Sequence, residues 1–109
     1  MPYNQQLAEH LREKLLPLIP VTEKKMFGGV AFLLNGNMTV GVIRETLIVR
    51  VGPEKHKAAL AMPGARPFDM TGRPMNGWVM VSAEGFSSGQ ALENWIHLAL
   101  EFAQTLPPK

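Results

Sequence analysis

Arg50 is the residue whose neighbours most clearly equip it for chemistry. It sits in the run Leu47-Ile48-Val49-Arg50-Val51, where strand alternation puts Leu47, Val49 and Val51 on one face and the arginine on the other. A guanidinium there can clamp a ligand carboxylate or phosphate through its planar fork of donors. It can equally form a structural ion pair with Asp69, or lay its stem along the surface with its head in water. A small-molecule or enzymatic pocket in this chain would centre on Arg50 and Asp69.

The remaining cations offer a second chemistry. Lys24, Lys25, Lys55, Lys57, Arg66 and Arg73 can form a phosphate-contacting or partner-contacting rim, with Phe27 or Phe68 as a stacking group. Residues 24–73 carry a balance of +5, between −1 for residues 1–23 and −2 for residues 74–109. A basic middle suits nucleic acid or an acidic protein, although the same charges also serve simply as a solvated surface. Met70 and Met75 flank a loop and offer a soft patch for a partner. Met26, Met38, Met62 and Met80 read as adaptable core filler.

Other chemistries find little support. The chain has no cysteine, hence no disulfide, thiolate site or cysteine nucleophile. His10, His56 and His97 are far apart and lack the spacing of metal ligands, so neither a metal nor another cofactor is expected. His97 lies one helical turn from both Glu93 and Glu101, which suits a surface ion pair. No serine or threonine stands in a nucleophile elbow. Gly28-Gly29 leads into a strand rather than a helix, so a tight backbone approach explains it better than a phosphate cradle.

The elements that must position these residues follow from periodicity. With 109 residues, 46% hydrophobic and 18% charged, the chain reads as a single domain over residues 1–109. Neither a membrane span nor a secretory pattern is apparent, and a cytoplasmic location is expected. Leu7, Leu11, Leu15 and Leu18 predict an amphipathic first helix, stopped by Pro17 and Pro20. Strands follow over 26–34, 38–43 and 47–51, the first two joined by the hairpin pair Asn35-Gly36. A short helix over 55–62, an ordered loop over 64–77 and a strand over 77–81 come next. Ser87 and Gln90 form a capping-box pattern before a last helix striped by Leu92, Trp95, Ile96, Ala99, Phe102, Ala103 and Leu106. The order is α-β-β-β-α-β-α: an α+β fold in which an antiparallel sheet, a meander plus one further strand, packs against the N- and C-terminal helices.

These residues resemble the N-terminal domain of the TfoX/Sxy proteins. The likeness rests on Lys25-Met26-Phe27-Gly28-Gly29, Gly36, the strand Leu47–Val51, Pro67-Phe68, the Met75–Met80 strand and the tryptophan-containing last helix. It covers nearly the whole chain, with Ile48 where an aromatic is frequent and Arg50 where lysine is usual. The resemblance implies a stand-alone α+β domain akin to regulators of natural competence, which act with a transcriptional activator and carry a further C-terminal helical domain. It supplies no catalytic residue. The expectation is therefore a non-enzymatic regulatory or protein-interaction module with a protein partner, such as a transcription factor, and no membrane. Direct nucleic-acid binding is the alternative, and a monomer or weak dimer the expected state.

Overall fold

The computed structural model describes residues 5–15, 21–26, 29–68, 77–86 and 88–107. Helix α1 (Gln5–Leu15) buries Leu7, Ala8, Leu11 and Leu15, the stripe that its leucine spacing predicts. Strands β1 (Val21–Met26), β2 (Gly29–Leu34), β3 (Asn37–Ile43) and β4 (Thr46–Arg50) then run as an antiparallel meander. The turn between β2 and β3 places Asn35 and Gly36 at φ of 53° and 85°, the conformation this pair tolerates best. Helix α2 (His56–Leu60), strands β5 (Ala65–Pro67) and β6 (Trp78–Val81), a 3-10 turn (Ala83–Phe86) and helix α3 (Gly89–Ala103) complete the order.

The fold is α+β, with one antiparallel sheet of six strands in the order β1-β2-β3-β4-β6-β5. Two strands escape the sequence pattern, and they are the two edges. In β1, Thr22, Glu23, Lys24 and Lys25 are all exposed, so no alternating apolar face marks it. Lysines on an edge strand also discourage pairing with another chain. β5 is three residues long and ends in Pro67, which an edge tolerates and a central strand does not. It lies within the segment expected to be loop.

Helices α1 and α3 cover one face of the sheet. Val30, Phe32, Val40, Val42, Leu47, Val49, Val79 and Val81 meet Leu7, Leu11, Leu15, Leu92, Trp95 and Ile96 in one apolar cluster. Trp95 satisfies its indole by donating Nε1–H to the Gly85 carbonyl at 3.0 Å. The cap of α3 is Ser88, whose Oγ accepts from the Ala91 amide at 3.0 Å. This corrects the capping pattern by one residue; Ser87 itself lies outside the described residues, as do Pro17, Leu18 and Pro20. A Cβ on Gly29 would fall 2.0 Å from the Val42 carbonyl oxygen, so β2 and β3 require glycine there.

Ion pairs fasten α1 to its neighbours. Arg12 donates through Nε and Nη2 to both carboxylate oxygens of Glu23 on β1, each at 2.6 Å. Lys14 donates to Glu93 on α3 at 3.0 Å.

Candidate functional site: the second face of the sheet

Alternation sends the remaining strand residues to the face opposite the core that α1 and α3 form, and α3 reaches the Arg50 end of it through Phe102. Register aligns Lys24, Ala31, Gly41, Ile48, Met80 and Arg66 in one row across all six strands. Ala31 and Ile48 are wholly buried within it, while Met80 is half-buried and the two terminal cations are exposed. β4 is therefore buried on both faces at its centre, as its uninterrupted Leu47-Ile48-Val49 suits.

Arg50 stands beside this row, directly across from Trp78 on β6. Its guanidinium carbon lies 5.1 Å from the centre of the Trp78 ring and 5.3 Å from that of Phe102 on α3. Phe68 extends the group, its ring centre 6.0 Å from that of Trp78 with the planes inclined at 49°. Phe102 fits because Gly52, at φ +86°, has no side chain: a Cβ there would sit 2.3 Å from Phe102 Cδ1. Burial pulls the Arg50 pKa below its ordinary value, yet arginine stays charged across the working pH range. Contacts of this kind contribute about 0.5–2 kcal/mol, more as the cation is desolvated.

Among the described residues no carboxylate pairs with Arg50. Asp69, its expected partner, lies outside them, as do Phe27, Met70, Arg73 and Met75. The strand positions of this face hold Lys24, Arg50 and Arg66 and no carboxylate at all.

The other cations do not form one rim. Lys24 and Lys25 lie on β1 and Arg66 on β5, at opposite edges of the sheet. Five strand spacings separate those edges, roughly 24 Å. Lys24 and Lys25 also point to opposite faces by alternation. Lys55 pairs with Glu101, whose carboxyl the lysine's hydrogen bond holds below the ordinary range. Lys57 is exposed on α2. Glu93 and Glu101, the carboxylates on either side of His97, thus take lysine partners from other elements.

Among the described residues, one open cleft lies away from this group and another adjoins it at Gly52 and Phe102. The first, about 670 Å³, runs between α1 and the start of α3, lined by residues that include Gln6, His10, Lys14, Phe86, Ser88 and Leu92. Its serine already caps α3 and its lysine already holds Glu93. The other, about 490 Å³, is bordered by Gly52, Pro53, Lys55, Glu101, Phe102 and Thr105. Among the described residues no group of His, Asp and Glu side chains could hold a metal ion, and no helix is long and apolar enough to cross a membrane.

The sequence matches the TfoX N-terminal domain over residues 13–103. The chain belongs to that family. The matched span of this TfoX N-terminal domain takes in all six strands, and with them Arg50, Phe68, Trp78 and Phe102. No curated protein and no solved structure matches the chain significantly. Trp78 and Phe102 are the site residues that sequence reasoning passed over, placing both as ordinary members of a strand and a helix. The available signal was a tryptophan opening a strand in a chain with an arginine near the end of another, and it becomes legible only once β4 and β6 are known to pair.

Proposed function

We propose that this domain is a non-enzymatic, cytoplasmic regulatory module that docks an acidic protein partner on the second face of its sheet. Family membership supports a regulatory, competence-related role. The observation that carries the docking surface is the half-buried Trp78, framed by Arg50, Phe68 and Met80 on a face whose strand positions bear cations alone. Tryptophan and arginine dominate the binding energy of protein interfaces, and aromatic residues and methionine are enriched there. Cations without carboxylates select a negatively charged partner and speed its encounter.

Direct nucleic-acid contact draws on the same absence of carboxylates. Lys24 and Arg66 sit too far apart to grip one phosphate, so such binding would use one edge of the sheet at a time.

The test is photo-crosslinking in the source cell from an unnatural amino acid in place of Met80, with Asn94 as the control. Asn94 is exposed on α3, on the helical side of the sheet. A discrete protein adduct from position 80 alone supports the proposal. No adduct, or the same adducts from both positions, overturns it.

A further inference from the structure

We infer that Arg50 is the recognition point for a carboxylate, an Asp or Glu side chain presented by an acidic segment of the docked partner. This deepens the assignment of the second face and rests on it. Arg50 has five N–H donors and no acceptor of its own. The rings of Trp78 and Phe102, at 5.1 and 5.3 Å, attract its positive charge but offer no oxygen. Arg50 is half-buried, and no nitrogen of its guanidinium is sealed from both water and a partner, so its donors stay accessible to an incoming acceptor.

A carboxylate completes the group, because its two oxygens match the guanidinium fork and charge assistance strengthens both bonds. Packing against the rings also orders the side chain in advance, which reduces the entropy lost on binding. The surroundings agree with an acidic peptide as the source. Lys24 and Arg66 extend the positive field along the face, while the half-buried Trp78 and Met80 give apolar surface beside Arg50 against which a segment can lie. A phosphate-bearing ligand would need cations clustered around Arg50; among the described residues the neighbours within reach are instead the aromatic rings.

The experiment is an NMR titration of the isotope-labelled domain with an end-blocked tri-glutamate peptide, against tri-glutamine at constant ionic strength. The chain has two tryptophans, so two indole signals report on opposite sides of the sheet. Saturable shifts of the Arg50 Nε–H and the Trp78 indole, with Trp95 unmoved, are expected. Arg50→Gln should weaken binding about tenfold, the loss of a charge-assisted pair. Lys25→Gln removes the same charge from β1 and should leave the affinity unchanged.

Arg50→Lys keeps the charge and most of the stem, guarding against a folding defect, and should bind more weakly than the native domain. Full affinity in the lysine variant would overturn the role of the planar fork. The inference also fails if no saturable shift occurs, if Lys25→Gln costs as much as Arg50→Gln, or if inorganic phosphate displaces the peptide more readily than acetate does. A partner crosslinked from position 80 alongside a silent titration would remove this inference while leaving the docking face intact.

Discussion

Arg50 and Trp78 face one another across β4 and β6, with the guanidinium carbon 5.1 Å from the centre of the indole. The relationship joins a central strand to the strand beside the sheet edge, so it should register in stability as well as in binding. In a double-mutant cycle of Arg50→Gln and Trp78→Leu, the coupling energy should be about 0.5–2 kcal/mol in favour of the native pair. Urea denaturation of the four proteins measures it. Additive losses would mean that the two side chains are merely adjacent.

Gly52 fixes where Phe102 lies and thereby frames the other side of Arg50. Its φ of +86° disfavours any side chain, and a Cβ would land 2.3 Å from the phenyl ring. Gly52→Ala should destabilise the domain by about 2–4 kcal/mol, combining left-handed strain with overpacking. An unchanged thermal midpoint would show that Phe102 moves aside freely.

These contacts also explain which parts of the fold the sequence discloses. The leucine spacing of α1, the Asn35-Gly36 turn and the apolar stripe of α3 are local signals, and each appears where its period places it. β1 and β5 carry no such signal. Edge strands face solvent on at least one side, so Val-Thr-Glu-Lys-Lys-Met and Ala-Arg-Pro can be polar or proline-bearing and still pair. The site lies at the same limit. Arg50 stands out from its own strand, but the indole beside it comes from β6, and register between distant strands is a tertiary fact. The dispersal of Lys24, Lys25 and Arg66 to two edges is likewise fixed by strand order, which charge counting along the chain cannot supply.

The Arg12–Glu23 pair gives the fold a modest pH response. The hydrogen bond from Arg12, its leading cause, holds the Glu23 carboxyl below its ordinary value. Its contribution is therefore present above the unfolded carboxylate pKa and is lost as pH falls through the lower, folded value. With 39% and 36% of the two side chains exposed, screening limits the contribution to about 0.5 kcal/mol. Glu23→Gln should cost that much at neutral pH and low salt, with the difference shrinking below about pH 4 and in 1 M salt. A difference independent of pH would assign the effect to packing instead.

The strand order makes a prediction for nucleic acid. Fluorescence anisotropy of labelled duplex DNA should show only weak association at low salt, vanishing near 150 mM, because the cations at the two sheet edges do not converge. Few phosphates neutralised means a shallow salt dependence. Saturable binding at physiological salt that collapses in a Lys24→Glu, Lys25→Glu double variant would make the β1 edge a nucleic-acid surface.

The central claim is that the face bearing Arg50 and Trp78 holds an acidic protein partner. The most direct measurement is the yield of the protein adduct crosslinked from position 80 in the source cell, in the native background and with Arg50→Glu. A specific adduct that falls by about tenfold or more on charge reversal, while the domain remains folded, is the predicted result. An adduct of equal yield in both backgrounds, or none in either, would contradict the account.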